Sequence, residues 1–134
     1  MSKFSDNVKE IFGNTAIYTV ATASKDGLPN VVPMTNVKIY DEEDSILIAN
    51  NLMNKTLKNI GENPWIAISV WDLNKGEAYQ IKGKANIVTY GKPYEDAVAL
   101  VQLSYPDLKP KSAILLKITN IYNCFPGPDL GKEL

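Results

Sequence analysis

The sequence predicts a mainly β fold, a six-stranded antiparallel barrel with two or three short helices. Three observations carry that expectation. Segments rich in β-branched and aromatic residues recur along the chain, most of the connections between them are of hairpin length, and helical periodicity is confined to three short stretches. A doubly wound parallel sheet would need a crossover helix after nearly every strand, and none separates the first three. Closure into a barrel is the way such a strand set avoids open edges.

The elements follow in order. Phe4, Val8, Ile11 and Phe12 form one apolar stripe at helical spacing, and Gly13 stops that helix. Thr15 to Ala23 (TAIYTVATA) reads as the first strand, and Ser24-Lys25-Asp26-Gly27 as a turn. Asn30 to Tyr40 (NVVPMTNVKIY) reads as one long strand. Pro33 inside it cannot donate to a ladder, so this strand is an edge or is bulged there. The acidic run Asp41 to Asp44 reads as a solvated turn before the third strand, Ser45 to Ala49. Asn50 to Asn54 is a loop, and Lys55 to Glu62 a short helix with Asn54 placed as its N-cap. Trp65 to Trp71 and Glu77 to Thr89 are the fourth and fifth strands, joined by a polar turn. Pro93 opens a helix with Ala97, Leu100, Val101 and Ser104 on one face, Ser112 to Tyr122 is the sixth strand, and the tail from Asn123 is irregular. The helices after the third and fifth strands are placed to plug a barrel end.

At 134 residues, with 45% hydrophobic and 22% charged positions, the chain is expected to be a single domain over 1–134. A net charge of −1 supplies no field for capturing nucleic acid or an anionic membrane. All basic residues are Lys, and neither Arg nor His occurs. That removes the imidazole metal ligand, the His general base and the proximal haem His. It also leaves anion binding to Lys, backbone N–H groups, hydroxyls and helix termini. The single Cys124 excludes an internal disulfide and a multi-Cys zinc site, and reads as a thiol in a reducing compartment. The N-terminus MSKFSDNVKE has no apolar signal core, and no apolar run approaches the roughly 20 residues of a spanning helix. A soluble, cytoplasmic protein is expected.

One constellation points to chemistry: a strand running into NNLMNKTLKN. A helix starting at Asn54-Lys55-Thr56 aims N–H groups and the positive end of its dipole at whatever lies in front. Lys55 adds a charge and Thr56 a hydroxyl, so the three together can cradle a phosphate. The same residues also fit an ordinary capped helix start with exposed side chains. Pro33 has two readings as well: it guards an edge strand, or it frees neighbouring backbone groups to face a planar ligand.

The order of these pieces resembles the FMN-binding split β-barrels of the pyridoxamine 5'-phosphate oxidase-like superfamily, and most nearly the short bacterial FMN-binding proteins. The resemblance runs from about Asn14 to Tyr122 and rests on DGLPNVVPMTNVKIY, SILIANNLMNKTLKNIGENPWIAISVW and GKANIV. It implies a Greek-key split barrel that binds FMN as a homodimer, with the flavins in the cleft between subunits. It implies that Val32, Pro33, Met34 and Thr35 lie along the flavin ring, that Ala49, Asn50 and Asn51 face it from another side, and that Lys55 and Thr56 hold the phosphate. Ala78 and Gln80 would approach the flavin of the partner subunit.

The sequence also departs from parts of that superfamily. The oxidase resembles a chain with Arg where Pro33 stands here and uses further Arg and His for its substrate, so pyridoxamine phosphate oxidation is not expected. The nitroimidazole-reductase and haem-utilisation branches depend on a His and do not carry over. A deazaflavin branch remains an alternative, although its acidic cofactor tail meets more positive charge than this site offers. The expected function is an FMN flavoprotein, an oxidoreductase or electron carrier serving a small-molecule or protein redox partner. The alternatives are an FMN storage or sensor protein and a cofactor-free interaction barrel. No side chain reads as a catalytic acid or base, and no metal site is expected. Tyr79 and Trp71 are candidates to stack on the flavin. Trp65, Trp71 and Tyr79 on adjacent strands exceed what one small core hides, which also favours a dimer.

Overall fold

In the computed structural model, residues 4–41, 44–51 and 53–134 are described. Glu42 and Glu43 of the acidic turn and Leu52 of the loop before the second helix lie outside them. The order is α1 (Asp6–Asn14), β1 (Tyr18–Ala23), β2 (Pro29–Met34), β3 (Val37–Asp41), β4 (Ser45–Asn50), α2 (Lys55–Glu62), β5 (Trp65–Asp72), β6 (Glu77–Val88), α3 (Lys92–Gln102) and β7 (Ser112–Asn123). All seven strands pair antiparallel in one sheet ordered β2-β1-β5-β6-β7-β4-β3. The sheet curls into a half-barrel, as the sequence predicts, with one strand more.

The extra strand is a correction. Asn30 to Tyr40 is not one strand but two, β2 and β3, separated by Thr35 and Asn36. The two stand at opposite ends of the strand order, so a link of two residues joins the sheet's two edges. Such a link can span the gap only because the sheet curls until its edges meet. The barrel is therefore closed by chain at this seam, without a ladder between β2 and β3. Pro33 sits opposite Thr19 on β2, which is an edge strand, the position a strand containing Pro is expected to take.

Inside the curl, Val20, Ile46, Ile68, Ile81, Ile114 and Leu116 alternate inward from five strands and are fully buried. Helix α1 is the plug: Val8, Ile11 and Phe12 join the same core, Ser5 caps the helix by accepting from the Val8 N–H, and the Tyr18 hydroxyl donates to the Phe12 carbonyl. Helix α2 adds Ile60 to this core. Helix α3 does not plug an end. It lies on the outer face of β4 and β7, burying Tyr94, Ala97 and Val101 with Leu47, Ala49 and Ala113 in a separate cluster. Ser104, expected on its apolar face, lies beyond its end and is exposed. The GKA of the β6 sequence also has a structural reason. The β6–β7 register slips between Lys82 and Gly83, and a Cβ at Gly83 would overlap the Lys117 carbonyl oxygen. Among the described residues no helix is long and apolar enough to cross a membrane.

Candidate functional site

The seam opens into a cleft of about 470 Å³. Its walls are the end of β2 (Val32, Pro33, Met34), the link (Thr35, Asn36), the end of β4 (Ala49), the following loop (Asn51, Met53, Asn54) and the start of α2 (Lys55, Thr56). Two stretches of the chain, 32–36 and 49–56, meet here because the two sheet edges do. The volume falls within the range of small-molecule sites.

One end of the cleft suits an anion. Asn54 occupies the N-cap position of α2, but its side chain makes no capping bond, so the first-turn amides have no side-chain acceptor from the cap. The Asn54 carbonyl accepts from the Lys58 N–H at 3.1 Å, which keeps the first turn helical. The start of α2 with its positive dipole end, Lys55 and Thr56 thus line the same end of the cleft. Thr56 is only 4% exposed, and its Oγ1 accepts from Asn30 Nδ2 at 3.1 Å.

Nearby stands an acceptor in need of a donor. Asn51 Oδ1 is buried and, among the described residues, has no hydrogen-bond partner. An unmet buried acceptor costs about 1–3 kcal/mol, which a bound N–H or O–H would offset. Asn51 is held in place by its neighbour: Asn50 Nδ2 donates to Ser112 Oγ at 2.8 Å, Asn50 Oδ1 accepts from the Met53 N–H at 3.0 Å, and the Asn50 carbonyl accepts from the Lys111 N–H at 2.9 Å.

Eight of the expected residues thus line one cleft: Val32, Pro33, Met34, Thr35, Ala49, Asn51, Lys55 and Thr56. Asn50 is not among them. It is 1% exposed and spends both side-chain groups on the loop. Ala78 and Gln80 lie on β6, opposite Trp71 and Ser69, away from their own chain's cleft. Tyr79 is a core residue, 7% exposed, so it is not available to stack on a cleft ligand. Its burial, and then its hydroxyl bond to Glu77 Oε1 at 2.7 Å, push its pKa up to about 12. Trp71 faces outward beside β6. Asn54, singled out with Lys55 and Thr56 at the helix start, lines the cleft too, while Asn36 and Met53 were not singled out. Their signal was position, since each directly flanks a residue that was. Among the described residues no three His, Cys, Asp or Glu stand together to hold a metal ion.

Residues 4–125 match the family described as pyridoxamine 5'-phosphate oxidase. An uncharacterized protein, MJ0282, of Methanocaldococcus jannaschii is 45% identical over 131 residues, which is 97% of this chain and 87% of that protein. HupZ of Group A Streptococcus superposes with a TM-score of 0.83 at 26% identity, over 96% of this chain and 99% of that one. An FMN-binding protein of Syntrophomonas wolfei superposes at 0.77 with 16% identity, over 89% and 84%. The fold is shared further with an F420 reductase (TM-score 0.67, 21% identity, 88% and 98%) and with HutZ, the haem storage protein of Vibrio cholerae (0.68, 14%, 93% and 97%).

Proposed function

The chain belongs to the pyridoxamine 5'-phosphate oxidase family, and on that premise we propose that it is a cytoplasmic, homodimeric FMN flavoprotein, an oxidoreductase or electron carrier. The observation that carries this reading is the pairing, in one cleft, of an uncapped helix start bearing Lys55 and Thr56 with the unmet acceptor Asn51 Oδ1. FMN fits both ends chemically. Its terminal phosphate suits the cationic end, and its ring imide N–H or a ribityl hydroxyl suits the acceptor. Val32, Met34, Ala49 and Met53 supply apolar wall for the ring. The FMN-binding relative from Syntrophomonas wolfei has the same fold and supports the choice of cofactor.

The flavin supplies the hydride or electron chemistry. The chain's residues bind and shield it. Among the described residues Lys55 is the only titratable side chain lining the cleft, and none of them places a carboxylate, thiol or imidazole there as a general acid or base. A histidine-ligated haem is not available to a chain without His. Nor does the chain carry the Arg and His on which the oxidase resemblance places pyridoxamine phosphate chemistry.

The dimer reading rests on the outward face of β2, β1, β5 and β6. Register places Val31 beside Ala21, Ala21 beside Ala67, and Ala67 beside Lys82. Trp65 and Trp71 flank this row of small residues and are 46% and 48% exposed. An outward patch of Val31, Ala21 and Ala67 bounded by half-exposed Trp suits a copy of itself related by a two-fold axis. Ala78 and Gln80 belong to the same face, so in that arrangement they are the residues offered to the partner.

The experiment is purification without added cofactor, followed by reduction and re-oxidation with a supplied acceptor. Bound flavin that cycles supports the oxidoreductase. Bound flavin that cannot be re-oxidised supports storage.

A further inference from the structure

Thr56 is held by a chain of side-chain hydrogen bonds that starts across the sheet. Asn30 on β2 faces Thr22 on β1 as a cross-strand pair. Its Nδ2 donates to Thr22 Oγ1 at 3.3 Å and to Thr56 Oγ1 at 3.1 Å, using both amide hydrogens. Asn59, one turn beyond Thr56 on α2, donates its own Nδ2 to Thr22 Oγ1 at 3.1 Å. Thr22, Thr56 and Asn59 are all buried, so water does not compete freely for these groups. Two amides thus point their donors at two hydroxyl oxygens. A hydroxyl that accepts from the protein still carries one hydrogen, and Thr56 lines the cleft.

We propose that Asn30 is a specificity-determining positioning residue: by donating to Thr56 it fixes that hydroxyl as a donor toward the cleft, so that the site selects a flavin ending in phosphate over one ending in a hydroxyl. A phosphate dianion only accepts hydrogen bonds, whereas the terminal hydroxyl of riboflavin is weakly served by a donor set built around Lys55 and a helix start. Without the Asn30 amide, Thr56 can turn its hydrogen inward and the donor is lost. Asn30 does not line the cleft itself and acts only through Thr56. The inference rests on the phosphate cradle proposed above and goes beyond it, since it assigns the polarity of the cradle to a residue behind it.

The test measures FMN and riboflavin affinities by flavin fluorescence quenching for Asn30→Ala, Thr56→Val, Thr56→Ser and the Asn30→Ala/Thr56→Val double variant. Riboflavin binding reports that the cleft is still folded. Thr56→Val is expected to lower the preference for FMN about tenfold and Thr56→Ser to keep most of it. Asn30→Ala is expected to lower the preference roughly threefold or more alone, and by less than about twofold once Thr56 is Val. Asn30→Leu, which keeps the branching at Cγ without donors, replaces alanine if that variant unfolds. A preference unchanged by Asn30→Ala, or lowered equally in both backgrounds, overturns the proposal. Lys55→Ala in the same assay separates the two levels. If it leaves the preference intact, the cradle itself is wrong; if it lowers the preference while Asn30 and Thr56 act additively, only the role of Asn30 fails.

Discussion

Met34 ends one edge strand and Val37 begins the other, so a two-residue link joins the two sides of the barrel. Everything at the candidate site follows from that link. It brings the Pro-interrupted edge of β2 against the end of β4, where the Asn36 carbonyl accepts from the Ala49 N–H at 3.0 Å, and it leaves the cleft where a closing ladder would otherwise run.

Lys55→Ala is expected to weaken FMN by roughly tenfold or more, the equivalent of about 1.5–3 kcal/mol for a charge-assisted contact. Riboflavin, which lacks the phosphate, should change little. Titration of both ligands checks this, and equal weakening would put the phosphate elsewhere.

Gly83→Ala is expected to destabilise the fold by about 3 kcal/mol, because the new methyl group meets the backbone of Lys117 in a well-packed sheet. Urea unfolding measures it. A loss within the ordinary cost of a surface change, about 0.5 kcal/mol, would show that the β6–β7 bulge relaxes freely.

Ala21→Glu places a charge at the centre of the small-residue face, between Val31 and Ala67. Sedimentation should give a dimer for the parent protein and a monomer for this variant. A flavin-loaded parent of monomer mass would contradict both the dimer and a shared site.

The Tyr40 hydroxyl donates to Asp96 Oδ2 at 2.6 Å, tying β3 to α3. That bond first, then burial and the carboxylate's charge, push the phenol up to about 12. Only the protonated phenol donates, so this contribution is whole below the ordinary value of 10 and is lost as pH rises from there through about 12. Asp96 moves the other way, lowered by Tyr40 and then by Lys92. Its contribution is present above the ordinary 3.8 and is lost as pH falls through the lowered value. Asp96→Asn should return Tyr40 toward 10 in an alkaline tyrosinate titration, and an unmoved midpoint would refute the link.

Much of this was legible in the residues. The β-branched runs located every strand region, and NNLMNKTLKN marked a stretch that lines the cleft, because both signals are local. The seam was not local. Thr35 and Asn36 carry neither Gly nor Pro to mark a break, so VVPMTNVKIY reads as one strand. Its pattern does hold a clue, since the inward residues shift phase from Val32 and Met34 to Val37 and Ile39. Asn50 stands outside the cleft lining for a reason that is also not local. It is 1% exposed and its side chain is taken up by Ser112 and the Met53 N–H, partners that its sequence neighbours do not reveal. The role of Asn30 was out of reach of the sequence, because its partners Thr22 and Thr56 come together only when β1, β2 and α2 pack.

Bound FMN is expected to be reduced readily by dithionite, and slowly and without saturation by NADH or NADPH. The chain has no Gly-rich strand-to-helix fingerprint and no Arg for a second phosphate. Stopped-flow bleaching against nucleotide concentration reads this, and a fast saturating phase would make the protein a nicotinamide-dependent flavin reductase.

The visible absorbance spectrum of protein purified without added cofactor, with mass analysis of any chromophore released on denaturation, tests the FMN site most directly. The expected result is the two-banded spectrum of an oxidised flavin and release of FMN at about one per chain. A colourless protein that leaves the fluorescence of added FMN unquenched would contradict it.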